Sequence, residues 1–127
     1  MSTIIGCALI VKDDFKNVLI LQKKVKRGEE EAWCLITSKL RGKETLEKSI
    51  NRGVKDSIKA LAFDLEELDE VIVNEETNES LKVFVANIKE KPMLDKLYVD
   101  YRWVNKNQID NYNLQQYEKD ILKKYLA

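Results

Sequence analysis

The chain has 127 residues, the size of one ordinary domain, and we expect residues 1–127 to form a single domain. Its 22 Lys and Arg residues balance its 22 Asp and Glu residues, so no net charge draws it to nucleic acid or to an anionic membrane. Histidine is absent from the sequence, which excludes imidazole bases, His-activated nucleophiles and His-ligated metals.

The cysteines and the apolar runs indicate the cellular compartment. Cys7 and Cys34 stand among apolar residues, which predicts buried free thiols and not a disulfide scaffold. The longest apolar run, residues 4–11, is far shorter than the roughly 20 residues that span a bilayer, and no secretory signal pattern surrounds it. We therefore expect a cytoplasmic protein that contacts no membrane.

The first third of the sequence predicts strands. Thr3–Val11 is a nearly continuous apolar stretch, residues 13–14 supply a turn, and Val18–Leu21 is a second apolar run. A charged segment, residues 23–31, follows before apolar residues return at Trp33–Ile36.

From Thr45 onwards the apolar residues follow the period of a helix. Thr45 is a favourable N-cap, and the helix dipole favours Glu47 in the first turn. An apolar stripe recurs every four residues, and Leu61 lies one step beyond it. The spacing predicts a helix over Thr45–Leu61 whose buried stripe consists of Leu46, Ile50, Val54 and Ile58.

The second half of the chain predicts three strands and a final helix. The strands are expected at Val71–Val73, Leu81–Val85 and Tyr98–Val104, the last with an apolar face of Val99, Tyr101 and Trp103. An amphipathic helix near Leu114–Leu126 closes the chain. Strands around a central helix, with a second helix at the end, predict an α/β sandwich with a mixed sheet.

One stretch, residues 33–60, carries most of the functional information. It resembles the core of the Nudix (MutT-like) hydrolases, whose signature is G-x5-E-x7-R-E-U-x-E-E-x-G-U with U an apolar residue. Glu44, Arg52 and Val54 match that signature in type and spacing. Three other segments also resemble patterns of this family: Trp33-Cys34-Leu35, VLILQKK in the second strand, and Arg102-Trp103-Val104. The resemblance covers nearly the whole chain and implies a Nudix-like α/β/α sandwich.

The resemblance also implies descent from enzymes that cleave nucleoside diphosphates linked to another group, with Mg²⁺ or Mn²⁺ held by glutamates of the helix. The chain departs from the signature at most metal-binding positions. Gly53 replaces the Glu after the Arg, Asp56 and Ser57 replace the Glu pair, and Ser38 and Lys59 replace the two glycines. Mg²⁺ is commonly held by one or two carboxylates plus substrate phosphates. We therefore expect Mg²⁺ or Mn²⁺ to bind weakly or not at all, with Asp56 as the remaining ligand.

Six residues are candidates for the site. The candidate catalytic residues are Glu44, Arg52 and Asp56, and the candidate phosphate-binding residues are Lys23, Lys39 and Arg41. A rebuilt metal site would need carboxylates from elsewhere, of which Glu44, Glu47, Glu75, Glu76 and Glu79 are available. In the alternative interpretation, Arg52 makes an ordinary ion pair with Glu44, Glu47 or Asp56, and the basic residues are scattered surface cations.

Small residues line one face of the predicted helix. This face admits two interpretations, close packing against a neighbouring element or a pocket emptied of carboxylates, and it consists of Ser49, Gly53, Ser57 and Ala60. Trp33 and Trp103 are expected to be core anchors, with stacking on a nucleobase as the alternative. Cys34 has no cationic neighbour in the sequence, so a nucleophilic role is not expected.

Three functions remain open at this stage. The first is a binding or regulatory module for a nucleotide or diphosphate that has weak catalysis or none. The second is a divergent metal-dependent hydrolase that uses Asp56, Glu44 and loop carboxylates. The third is a structural or interaction protein, such as a homodimer, because a fold alone does not fix a function. Carboxylates introduced together at positions 53, 56 and 57 are expected to create a Mn²⁺ site, because these positions share one helix face.

Overall fold

The structure is a computed structural model that describes residues 3–126. Within these residues, strands β1–β7 cover Thr3–Val11, Val18–Lys23, Trp33–Cys34, Ile36–Lys39, Phe63–Asn74, Glu79–Asn87 and Tyr98–Val104. The helices are α1 (Leu46–Ile58), a 3-10 helix (Lys106–Asn111) and α2 (Gln116–Leu126). No helix in this part of the chain is long and apolar enough to cross a membrane.

The strands form two sheets. The first has the order β4-β1-β6-β5, in which β1 runs parallel to β6 and the other pairs are antiparallel. The predicted mixed sheet is therefore confirmed. The second sheet, with the antiparallel order β3-β2-β7, was not predicted. The chain passes from one sheet to the other at Leu35, the single residue between β3 and β4.

The two α-helices cover opposite faces of β1. Leu9 and Val11 share a core cluster with Ile50 of α1, whereas Ile10 shares the other cluster with Leu122 of α2. Successive residues of a strand point to opposite faces, so the helices lie on opposite sides of the mixed sheet. This arrangement confirms the predicted α/β/α sandwich.

Helix α1 begins where the sequence predicts and ends earlier. Thr45 is the N-cap, and its hydroxyl accepts a hydrogen bond from the Lys48 amide at 3.2 Å. The last helical residue is Ile58, because Lys59 adopts a left-handed conformation with φ 56° that closes the helix. The predicted extension to Leu61 is wrong, and 58% of that residue is exposed.

Strand β5 is much longer than the predicted Val71–Val73, because it extends back to Phe63. Its first two thirds are rich in carboxylates, which obscured the strand in the sequence. β5 is an edge strand of the mixed sheet, and charged side chains are common on edge strands. Most of its side chains are exposed or half-buried, so its carboxylates remain in contact with solvent. Lys82 of the neighbouring β6 forms an ion pair with Glu67.

Strand β7 has the predicted bounds, but its predicted apolar face is interrupted. Tyr101 and Trp103 pack against the core on the α1 side, whereas 55% of Val99 is exposed. The register explains the difference, since consecutive residues of β2 pair with Asp100 and Tyr98 and leave Val99 as an extra residue. The bulge turns the Val99 side chain away from the face that its position in the sequence predicts.

Candidate functional site

Arg52 ties α1 to the loop that precedes the helix. Its Nε donates to Oε2 of Glu44 at 3.0 Å and its Nη2 donates to Oε1 of Glu44 at 2.9 Å. The same Nη2 donates to the carbonyl oxygen of Lys39 at 2.7 Å. The hydrogen bonds from Arg52 lower the pKa of Glu44. Of the three partners that the sequence left open for Arg52, the structure selects Glu44.

The small-residue face of α1 packs closely against β4. A Cβ atom added to Gly53 would lie 3.0 Å from the Cβ of Ser38. The Ser38 and Ser49 hydroxyls are 2.8 Å apart and share a hydrogen bond, and Ser49 also donates to the Lys39 carbonyl at 3.4 Å. Ser57 is buried on the same face and faces the Tyr98 side chain. The close-packing interpretation is therefore confirmed, and this face is not an open pocket.

A cavity of about 340 Å³ adjoins this segment on the other side of β4. Its polar lining comes from β4 and from the start of α2, and its apolar lining comes from β1, β5, β6 and α2. The lining residues are Ile5, Thr37, Ser38, Lys39, Val73, Leu81, Gln115 and Tyr117. The single charged side chain among them is Lys39, so the cavity combines an apolar wall with one cation at its rim.

The three candidate phosphate-binding residues do not lie together at this cavity. Lys39 lines it, whereas Arg41 is exposed on the loop before α1. Lys23 ends β2 and is close enough to Cys34 and Glu118 to influence their pKa values. Among these three residues, Lys39 is therefore the one that lines the cavity.

The structure has the same architecture as solved MutT and Nudix hydrolase structures. It superposes on a MutT structure from work on Aliivibrio salmonicida and Vibrio cholerae with a TM-score of 0.80, covering 98% of both chains at 15% identity. A MutT NUDIX hydrolase from Burkholderia pseudomallei gives a TM-score of 0.78 at 16% identity, over 99% of this chain and 100% of that one.

A third match extends the likeness to another enzyme of known structure. The E. coli dihydroneopterin triphosphate pyrophosphohydrolase gives a TM-score of 0.69 at 14% identity, over 97% of this chain and 94% of that one. The chain has the Nudix fold. At the level of sequence, no family model matches it, and no curated protein matches it either.

Within the Nudix fold, the carboxylates at the signature positions do not form a cluster in the described residues. Asp56 is exposed on α1 one turn after Arg52, and both oxygens of Glu44 accept hydrogen bonds from that arginine. Among residues 3–126, no group of three or more Asp, Glu or Cys side chains is placed to hold a metal ion. Mg²⁺ is commonly held by one or two carboxylates plus water and substrate phosphates, and Asp56 supplies one exposed carboxylate at these positions.

The other carboxylates considered for a rebuilt metal site are divided among the turn between β5 and β6, the start of β6 and the first turn of α1. Glu75 and Glu76 occupy the turn between β5 and β6, and Glu79 starts β6, where it accepts a hydrogen bond from Thr77 at 2.8 Å. Glu47 is exposed in the first turn of α1. None of these four carboxylates joins Asp56 in a metal-binding group of the described residues.

The aromatic and thiol candidates belong to the core. Trp33 is 5% exposed, its Nε1 donates to Oε1 of Glu31 at 2.6 Å, and its ring meets Tyr112 edge-on at 4.9 Å. Trp103 packs against the core on the α1 side, so both tryptophans are anchors as predicted. Cys7 and Cys34 are buried and free, and burial raises their pKa values to about 11 and about 12, which leaves them as inert thiols.

Glu118 of α2, which is not among the candidates from the sequence, is 1% exposed. Its Oε2 accepts a hydrogen bond from the Leu35 amide at 2.6 Å, and its Oε1 accepts one from the Gln115 amide at 3.3 Å. A signal for it exists in the sequence, because Glu118 stands four residues after Leu114 and three before Ile121, on the apolar stripe of the helix. A charged residue at a core position of a helix is rarely left without a partner.

The contact between Gly53 and Ser38 leads to a prediction about stability. Gly53→Ala should gain up to about 1 kcal/mol of helix propensity, but its new methyl group would press on the Ser38 side chain. In a Ser38→Gly background that pressure disappears, so we expect Gly53→Ala to be more favourable there by about 1 kcal/mol. Urea denaturation of the two single variants and the double variant measures this coupling.

The matched control pairs Ser38→Gly with Asn51→Ala, a substitution at an exposed position of the same helix. These two changes should be additive within about 0.5 kcal/mol. Additivity for the pair at positions 38 and 53 would contradict the close contact.

Proposed function

We propose that this protein is a binding or regulatory module, descended from nucleoside-diphosphate-X pyrophosphohydrolases, that holds a nucleotide or diphosphate ligand without metal catalysis. The observation that carries the proposal is the contact between Gly53 and Ser38. In a Nudix hydrolase a glutamate stands at the position of Gly53, as the sequence resemblance implies. Here a Cβ at that position would already lie 3.0 Å from the Ser38 Cβ, so the space of the missing carboxylate is filled by β4.

The state of Glu44 supports the same conclusion. A carboxylate that accepts two hydrogen bonds from Arg52 and a third, at 3.2 Å, from the Arg41 amide has little remaining capacity to bind a cation. Removing it from Arg52 would also leave the guanidinium without its carboxylate partner. The divergent-hydrolase alternative needs that carboxylate, so the pairing weighs against it.

The cavity beside β4 is the proposed ligand site. Its apolar wall, formed in part by Ile5, Leu81 and Tyr117, suits a planar ring, and the Lys39 ammonium at the rim suits a phosphate group. The hydroxyl of Thr37 adds a hydrogen-bonding group between the two, whereas the Ser38 hydroxyl faces α1 and is bonded to Ser49. The arrangement supports binding of a nucleotide-like molecule by its own contacts, with no metal as a bridge.

We expect ADP, used as a probe in the absence of metal, to raise the melting temperature of the protein and to bind by calorimetry. Lys39→Glu should weaken that binding about tenfold or more, because it places a like charge beside the phosphates. Lys43→Glu is the matched control, since Lys43 is exposed on the neighbouring loop and does not line the cavity.

Millimolar Mg²⁺ alone should leave the melting temperature within about 1 °C of its value without metal. Metal-dependent turnover of a nucleoside-diphosphate panel would contradict the proposal and favour a divergent hydrolase. Neither binding nor turnover would leave the structural or interaction protein as the better interpretation. A single domain, a cytoplasmic location, homodimer formation and the lack of a nucleic-acid partner stay predictions.

A further inference from the structure

Glu118 joins two elements that both contribute walls to the cavity. The carboxylate reaches from the first turn of α2 to the Leu35 amide, where the chain crosses from β3 to β4. Two to four residues further along the chain, Thr37 and Lys39 line the cavity on the β4 side. On the α2 side, the cavity is lined by Gln115 and Tyr117, which precede Glu118 by three residues and by one.

The second oxygen of the carboxylate fixes the start of α2. Oε1 of Glu118 accepts a hydrogen bond from the Gln115 amide at 3.3 Å, and the Glu118 amide donates to the Gln115 carbonyl at 3.0 Å. These reciprocal bonds resemble a capping box, in which a glutamate at the third position satisfies the backbone at the helix start. One carboxylate therefore holds a helix start and a strand crossing at the same time.

The surroundings of Glu118 shift its pKa in both directions. Burial raises the pKa of Glu118, while the amides of Leu35 and Gln115 and the nearby Lys23 lower it. The other titratable groups close enough to interact are the Cys34 thiol on β3 and the hydroxyls of Tyr98 on β7 and Tyr117 on α2. Lys23 is thus the one cation near the carboxylate among the described residues that influence its pKa.

We propose that Glu118 is a positioning residue, which holds the β4 wall and the α2 wall of the cavity in register and couples the shape of the cavity to its own protonation. Loss of the proton makes both oxygens acceptors for the two amides. Uptake of a proton turns one oxygen into a donor, which cannot accept a short hydrogen bond from an amide in the same geometry. An effect of Glu118 on ligand binding rests on the proposed function. The effect of Glu118 on the position of the two walls does not depend on it.

The test compares Glu118→Gln with Asp120→Asn by backbone amide NMR. Asp120 is exposed on the same helix, so its change from carboxylate to amide is the matched control. A glutamine offers one acceptor oxygen, so one of the two amides loses its partner. We expect hydrogen exchange of the Leu35 or Gln115 amide to accelerate about tenfold or more in Glu118→Gln. The resonances of Thr37, Lys39 and Tyr117 should shift in that variant and stay in place in Asp120→Asn.

A pH titration of the unmodified protein supplies a measurement that does not depend on a stable variant. The amide resonances of Leu35, Gln115, Thr37 and Lys39 should change together with one midpoint, above the ordinary range of a glutamate pKa, and this change should be absent in Glu118→Gln. If the resonances of Thr37, Lys39 and Tyr117 change neither in Glu118→Gln nor during the titration, the proposal is overturned, even if Glu118→Gln lowers the melting temperature.

Measurements of ADP binding separate this inference from the proposed function. If ADP binds the unmodified protein, Glu118→Gln should weaken the binding about tenfold and Asp120→Asn should not. An unchanged ADP affinity in Glu118→Gln would count against the positioning role. If ADP does not bind the unmodified protein, the proposed ligand fails, and the NMR measurements alone decide whether Glu118 positions the walls.

Discussion

Gly6→Ala is expected to reduce the free energy of unfolding by about 3 kcal/mol or more. A Cβ at this position would lie 2.0 Å from the carbonyl oxygen of Ser38 and 3.0 Å from the Cα of Lys39. Both atoms belong to the backbone of β4, which pairs with β1 in this register, so neither can move without opening the strand pair. The centre of the mixed sheet offers no other place for the methyl group.

Equilibrium urea denaturation followed by circular dichroism measures the effect. The control is Gly53→Ala, whose added Cβ would meet the side chain of Ser38 at 3.0 Å and not its backbone. We expect that variant to stay within about 1 kcal/mol of the unmodified protein. A Gly6→Ala protein as stable as Gly53→Ala would mean that β1 and β4 are not paired in the register described.

The parts of the site that the sequence predicts correctly depend on short distances along the chain. The cap at Thr45 and the buried stripe of α1 follow from helical periodicity over a few turns. For Arg52 the sequence left three partners open, Glu44, Glu47 and Asp56, all within eight residues of it, and the structure selects Glu44. Local patterns are sufficient for these features.

The features that the sequence misses depend on contacts between distant segments. Gly6, Ser38 and Gly53 are far apart in the chain, yet both glycines face the same residue of β4. Viewed as a sequence, Ser38 and Gly53 are two unrelated departures from the Nudix signature. In the structure the two residues are in contact, because the side chain at position 38 occupies the space beside position 53.

Glu118 and β5 show two further reasons for incomplete prediction. The partner of Glu118 is the Leu35 amide, a backbone group 83 residues away that no side-chain pattern reveals. The early part of β5 carries five acids in eight residues, a composition typical of a loop, and its strand conformation comes from pairing with β6. Tertiary context decides such edge strands more than their intrinsic propensity.

The contact between Gly53 and Ser38 changes how a metal site could be introduced. Carboxylates at 53, 56 and 57 share a helix face by spacing, but the structure buries positions 53 and 57 and exposes Asp56. A glutamate at 53 would have to displace the Ser38 side chain before it could reach a cation. The triple variant Gly53→Glu, Asp56→Glu, Ser57→Glu is therefore expected to lose stability and to gain little Mn²⁺ affinity, contrary to the expectation from spacing alone.

Adding Ser38→Gly to the triple variant should give the large effect. It removes the Cβ that stands 3.0 Å from a Cβ at position 53 and restores the glycine that opens the Nudix signature. Three carboxylates one turn apart repel one another, and a divalent cation relieves that repulsion while supplying the oxygen coordination that Mn²⁺ prefers. We expect the quadruple variant to bind Mn²⁺ about tenfold more tightly than the triple variant, measured by electron paramagnetic resonance of free Mn²⁺.

The control is the quadruple variant with Asp56→Gln instead of Asp56→Glu, which keeps the size of the side chain but removes one charged ligand and should lose most of the gain. Equal Mn²⁺ affinity in the triple and quadruple variants would show that Ser38 does not obstruct position 53. A quadruple variant that folds and still binds no Mn²⁺ would indicate that α1 does not present these positions as the helix of a Nudix hydrolase does. Recovery of hydrolysis is not expected, because activation of water needs a positioned base in addition to the metal.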